Sequence, residues 1–104
     1  MSSLRLITQG DLKVLKILWK NGEMTASQVA AALQVEIGWN RNTTYTVLKR
    51  CVSRGFIERI EPLFLCRPIV TFGEVRRYQT KTLICVWYDD NPELLKEALE
   101  SEDY

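Results

Sequence analysis

The spacing of apolar and polar residues along the chain predicts helices at its beginning. A wide apolar stripe predicts a first helix that opens at Thr8 or Gln9 and runs through Lys20. A capping box that begins at Thr25 predicts a second helix over residues 26–34. The chain therefore opens with two short helices separated by a tight connection.

A third helix is predicted from its cap and its apolar spacing. Residues 35–39 (VEIGW) are interpreted as a connection in which Ile37 and Trp39 anchor to the core. Asn40 is a favourable N-cap, and apolar residues recur behind it at helical spacing until Gly55 ends the pattern. We therefore expect a helix that begins after Asn40 and ends before Gly55.

The pattern changes after the third helix. Residues 56–60 and 63–67 are short β-rich segments separated by Glu61-Pro62, which predicts a small hairpin. A fourth helix is expected over about residues 71–88, and a last one after Asn91, which is followed by proline in the first turn. The fold class predicted is mainly α with a small β-hairpin: a winged helix-turn-helix over residues 1–70 and C-terminal helices over residues 71–104.

The third helix has two chemically different faces. Its outward arc carries Asn42, Thr43 and Thr46 at the leading end, followed by Lys49 and Arg50. Amides and hydroxyls can hydrogen-bond base edges in the major groove, and cations one or two turns further on can reach phosphates. This arc therefore predicts DNA binding by the third helix. The alternative is a winged-helix protein–protein interaction module that does not bind DNA.

Composition excludes several other classes of protein. The chain has 104 residues, no histidine and three cysteines, none of them in a CxxC pair. Neither a catalytic acid–base pair nor a metal site is recognisable, so we expect no enzyme activity, no metal and no cofactor. The cysteines are expected to be buried and structural, with redox or soft-metal sensing as the alternative. No apolar stretch is long enough to cross a membrane, and the start of the chain does not resemble a signal peptide, so a cytoplasmic protein is expected.

Charge is distributed unevenly between the two halves of the chain. Residues 1–60 carry nine Lys and Arg against four Asp and Glu, a balance of +5, whereas residues 61–104 carry five against nine, a balance of −4. This asymmetry predicts an anionic partner for the first half only. The second half is rich in apolar residues, which indicates an interface covered by a second copy of the chain; the alternative is that its helices fold back in a larger monomer.

Four segments together resemble the penicillinase-repressor and copper-transport-repressor (BlaI/MecI/CopY) family of bacterial winged-helix regulators. They are LKVLKILWKNGEMTASQVAAAL, TTYTVLKRCVSRGFIER, RPIVTFGEVRRYQTKTLI and YDDNPELLKEALES. The resemblance covers about residues 6–101. It implies a homodimeric repressor that binds an inverted-repeat operator, often TACA/TGTA-like, and blocks a promoter.

The resemblance also implies roles for individual residues. The base-contacting positions of the family fall on Asn42, Thr43, Tyr45 and Thr46, and its DNA-backbone contacts fall on Arg41, Lys49 and Arg50. The dimer interface is expected in the last two helices, at Val75, Tyr78, Ile84, Trp87, Leu94, Leu95, Ala98 and Leu99. The residues leave open whether the short wing touches DNA, and whether a signalling protease or another inducer releases the repressor.

Overall fold

A computed structural model describes residues 3–101. The elements, in chain order, are a 3-10 turn at Leu4–Leu6, α1 (Gln9–Asn21), β1 (Met24–Thr25), α2 (Ala26–Ile37), α3 (Arg41–Ser53), β2 (Ile57–Ile60), β3 (Leu65–Pro68), α4 (Phe72–Trp87) and α5 (Pro92–Glu100). The predicted fold class is confirmed: within residues 3–101, five α-helices accompany a small antiparallel sheet. The chain divides after Phe72 into two compact units.

The first unit is built around α1, α2 and α3. Its core contains large side chains from all three helices together with the residues that lead into β2. The largest fully buried ones are Phe56, Leu15, Leu18, Leu33, Leu48, Ile57, Val14 and Val29. Leu15, Leu18, Val29, Leu33 and Leu48 belong to the predicted apolar faces of the three helices, so burial of those faces assembles the core. Phe56 and Ile57 come from the first predicted segment of the hairpin.

The sheet has one strand more than the predicted hairpin. Strands β2 and β3 pair antiparallel, with Ile57 opposite Pro68, and β1 pairs antiparallel with the other edge of β3. The second hairpin strand begins at Leu65, because Leu63 lies in the turn and Phe64 adopts a positive φ of 50°. The expectation of a strand from residue 63 was therefore wrong by two residues.

Helix α2 extends further than the sequence predicted. It continues through Ile37 and ends at Gly38, whose φ of 74° lies in the left-handed region and whose N–H donates to the Gln34 carbonyl oxygen at 3.1 Å. The first three residues of the predicted five-residue connection, 35–37, are thus helical. Ile37 is 41% exposed, so the expectation that it anchors to the core was wrong, whereas Trp39 is half-buried.

The second unit consists of most of α4 together with α5. Asn91 caps α5 by accepting a hydrogen bond from the Glu93 N–H at 3.0 Å, and Pro92 occupies the first helical position, as predicted. Val75 is the only buried residue of α4, and α5 contains none. None of the helices in the described part of the chain combines the length and the apolar character that a membrane span needs.

Candidate nucleic-acid interface

Helix α3 is fixed at its start and along its inner face. The Asn40 side chain accepts a hydrogen bond from the Thr43 N–H at 2.8 Å, which satisfies one of the free donors of the first turn. Thr44, Val47, Leu48 and Cys51 are buried. Helix α3 therefore begins at the residue that the sequence predicted and packs through the predicted face. The rest of its surface faces away from the core.

The outward surface of α3 brings together five of the predicted DNA-contacting residues. Arg41, Asn42, Thr43, Thr46 and Lys49 are all exposed. The Thr46 hydroxyl donates to the Asn42 carbonyl oxygen at 2.9 Å, so its proton is already used within the helix. Thr46 consequently presents a hydroxyl oxygen that can accept a hydrogen bond and a methyl group that can contact thymine.

Tyr45 lies between this surface and the sheet. It is half-buried, and its ring packs edge-on against Phe64 with the ring centroids 6.0 Å apart. Its hydroxyl accepts a hydrogen bond from the Arg41 guanidinium at 2.9 Å, and that guanidinium lies 4.8 Å from the ring centroid. A second Arg41 nitrogen reaches the Ser27 hydroxyl of α2 at 3.5 Å. The Tyr45 hydroxyl and ring therefore help to orient the Arg41 guanidinium.

Arg50 is placed differently from the other predicted contacts. Its Nε and one terminal nitrogen donate to Asp11 Oδ1 at 3.0 and 2.7 Å, and that nitrogen also reaches the Thr8 hydroxyl at 3.1 Å. Asp11 is fully buried and completes the cap of α1, where its Oδ2 accepts from the Thr8 N–H at 2.9 Å. Arg50 thus joins α3 to the start of α1 and is not grouped with the five exposed residues of α3.

Two further groups of α3 and its C-cap face the Asp11 carboxylate. The Cys51 thiol lies 3.5 Å from Oδ1, and an Arg54 terminal nitrogen lies 3.7 Å from Oδ2. Burial pushes the pKa of Asp11 upward, but the hydrogen bonds from the Thr8 N–H and from Arg50 outweigh it and leave that pKa below its ordinary value. Burial and the adjacent Asp11 carboxylate raise the pKa of Cys51, so the thiol stays protonated.

The sequence interpretation missed Asp11 as a functional candidate. A signal was present, because Thr8 and Asp11 have the spacing of a capping box. That signal predicts the local cap but not the partner of the carboxylate, since Arg50 is 39 residues away along the chain.

The cations of the wing, residues 57–68, are matched by carboxylates. Arg59 is paired with Glu61, and Arg67 is paired with Glu58 and lies 3.7 Å from Glu23. The Arg59 guanidinium also stacks 3.8 Å from the centroid of Phe64. The wing therefore offers DNA phosphates much less unpaired positive charge than the surface of α3 does.

The predicted interface residues of the second unit are largely uncovered. Val75 is buried, whereas Tyr78, Ile84, Leu95 and Ala98 are half-buried. Trp87, Leu94 and Leu99 are exposed, Trp87 to 73%. Cys85 is also exposed, so the expectation that all three cysteines are buried was correct for Cys51 and Cys66 and wrong for Cys85.

Known proteins provide independent comparisons. A model of the penicillinase repressor family matches residues 7–104. The solution structure of the DNA-binding domain of the repressor BlaI superposes with a TM-score of 0.63, at 22% identity, covering 71% of this chain and 93% of that chain. The monomeric form of Bacillus licheniformis BlaI, solved in complex with the blaP half-operator, superposes with a TM-score of 0.59 at the same identity and coverage. Comparison with curated protein sequences finds no match.

These comparisons agree with the geometry. The neighbours share the fold of three helices followed by a wing, and the family model extends over both compact units. The chain belongs to the penicillinase repressor family, a family of DNA-binding transcriptional repressors.

Proposed function

We propose that the protein represses transcription as a homodimer that binds an inverted-repeat DNA operator through α3. The observation that carries this proposal is the exposed surface of α3, where amides, hydroxyls and two cations lie together and no acidic residue occurs from Asn40 to Ile57. Such a surface suits the major groove, in which base edges are read by hydrogen bonds and phosphates attract cations.

We divide the contacts by their position on α3. Asn42, Thr43 and Thr46 are assigned to base edges, and Tyr45 contributes through its hydroxyl. Arg41 and Lys49 are assigned to phosphates. The phosphate contact expected of Arg50 is not retained in the proposal, because its donors are directed at Asp11 and Thr8.

Selection of DNA from a random duplex pool tests this function without knowledge of the target gene. We expect enrichment of an inverted repeat whose half-sites lie about one helical turn apart. Affinity for the selected operator should fall steeply with salt, with a slope of about −0.9 per phosphate contact in a log–log plot. Absence of both enrichment and salt-dependent duplex binding would instead support the protein–protein interaction module.

Dimerisation is proposed from the uncovered apolar residues of the second unit. In α5, Leu94, Leu95, Ala98 and Leu99 share one helix face, whereas Lys96 and three glutamates occupy the other. An exposed apolar surface of this kind is typical of an interface, and two-fold dimers are the commonest soluble oligomers. Residues 61–104 have a charge balance of −4, which disfavours contact with DNA phosphates. This charge is consistent with an interface between subunits and not with DNA.

Two matched substitutions test the dimer. Leu95→Asp places a charge on the apolar face of α5 and should give monomers in sedimentation, whereas Lys96→Asp places the same residue on the polar face and should leave the dimer intact. The monomeric variant should bind a palindrome no more tightly than a half-site. A wild-type protein that sediments as a monomer at micromolar concentration, and binds a half-site as tightly as a palindrome, would refute the dimeric assignment.

A repressor acts where its operator is located, so we place the protein in the cytoplasm.

A further inference from the structure

Adjacent cations of α3 have opposite environments. Lys49 is exposed, and no ion pair joins it to any of the described residues 3–101. Arg50, the next residue, turns back toward α1 and pairs with the buried Asp11 carboxylate at 2.7 Å. The C-terminal half of α3 therefore presents fewer available cations than its sequence suggests.

The buried Asp11 carboxylate is surrounded by hydrogen-bond donors and positive charges. Its two oxygens face the Thr8 N–H, two guanidinium nitrogens of Arg50, the Cys51 thiol and Arg54. Arg54 in turn donates to the Leu6 carbonyl oxygen at 3.1 Å. If Arg50 moved out to a phosphate, a fully buried carboxylate would lose its closest charged partner, which is strongly unfavourable.

We propose that Asp11 is a positioning residue that determines specificity by withholding Arg50 from the DNA backbone. Phosphate contacts strengthen binding to every sequence alike, whereas base contacts distinguish one sequence from another. By holding one cation of α3 away from phosphates, Asp11 lowers affinity for random DNA and leaves discrimination to the exposed amides and hydroxyls. This inference rests on the proposed DNA-binding function and adds to it a residue that does not itself touch DNA.

Substitutions to glutamine distinguish the two adjacent cations Lys49 and Arg50. Lys49→Gln removes an exposed cation, and loss of one phosphate contact is expected to reduce the log–log salt slope by about 0.9. Arg50→Gln should leave the slope unchanged on the operator and on random duplex, and its side-chain amide can still donate to Asp11. A reduction of the slope by Arg50→Gln equal to the loss of one phosphate contact would overturn the inference.

Neutralising the carboxylate supplies the converse test. Asp11→Asn should release Arg50, raise the salt slope by about 0.9 and tighten binding to random duplex, so that the ratio of operator to random affinity falls. The double variant Asp11→Asn, Arg50→Gln should lose that gain. A purely structural role would reduce the folded fraction, seen by circular dichroism, without increasing the salt slope, and that result would refute the inference.

A measurement on the unmodified protein avoids dependence on the folding of any variant. In a 15N-labelled sample, the side-chain Nε–H signal of Arg50 should keep its chemical shift when operator DNA is added, and the Arg41 signal should move. Equal movement of both signals would overturn this inference but would leave the proposed DNA-binding function standing. Failure of the wild type to bind any duplex DNA at low salt would overturn the proposed function, and the inference with it.

Discussion

Replacement of Thr44 by valine should stabilise the protein. The Thr44 side chain is fully buried on the inner face of α3, and its Oγ1 has no hydrogen-bond partner among the described residues. Burial of a hydroxyl without a hydrogen bond costs about 1–3 kcal/mol in proteins. Valine has the same branched shape and a similar helix propensity, so it removes the hydroxyl with little other change. We therefore expect the free energy of unfolding to rise by about 1–2 kcal/mol.

Thermal and urea denaturation at fixed protein concentration measure this gain. For a domain of this size, each kcal/mol corresponds to roughly 4–8 °C in Tm. Thr46→Val is the matched control, because Thr46 is exposed and its hydroxyl is bonded within the helix; its effect on stability should stay within about 0.5 kcal/mol. Affinity of the Thr44→Val variant for the operator should not change, since the residue faces inward. A Thr44→Val variant that is less stable than the wild type would refute the reasoning, because it would show that the hydroxyl is satisfied.

Three further predictions follow from burial, charge and backbone geometry. A thiol reagent should label the exposed Cys85 rapidly in the native protein, and the buried Cys51 and Cys66 only on unfolding. Burial also raises the pKa of Cys66 to about 11, which keeps its thiol unreactive. Mass spectrometry identifies the labelled residue. Because the pKa of Asp11 is lower in the folded protein than its ordinary value of 3.8, the ionised carboxylate stabilises the fold. This stabilisation is fully present at pH values above 3.8 and is lost as the pH falls through the lower pKa of the folded protein. Asp11→Asn should therefore lower the free energy of unfolding at pH 7 and flatten the acid limb of a stability–pH curve. Gly38→Ala should cost about 1 kcal/mol in urea denaturation, because its φ of 74° strains any residue with a Cβ.

Helices that carry both a cap and an apolar stripe were predictable from the sequence. Helix α3 begins after Asn40 and ends at Ser53, and α5 begins at Pro92, as the local patterns predicted. Caps act within four residues of chain, so the sequence contains all the information they need. The end of α2 was missed because Ile37 and Trp39 were interpreted as core anchors, although their burial depends on which direction the helix faces at that point.

Features that join distant parts of the chain were not predictable from local patterns. Strand β1 has only two residues, Met24 and Thr25, and exists because Cys66 and Leu65 of β3 lie opposite them. The exposure of Cys85 has a different cause. Its apolar neighbours in sequence suggested burial, but adjacent residues of a helix point about 100° apart, so the environment of one does not determine that of the next.

In the proposed function, the inner face of α3 stabilises the fold and the outer face reads DNA. Asn42, Thr43 and Thr46 on the outer face are mediocre helix formers, each costing up to about 0.7 kcal/mol relative to alanine. Burial of Val47 and Leu48 on the inner face contributes roughly 1.5–3 kcal/mol for each side chain, which outweighs that cost. Because packing holds the helix, its exposed positions can carry residues suited to a groove and not to helix formation. Substitutions among these outer residues should consequently alter which DNA sequence is bound while changing the stability of the fold only slightly.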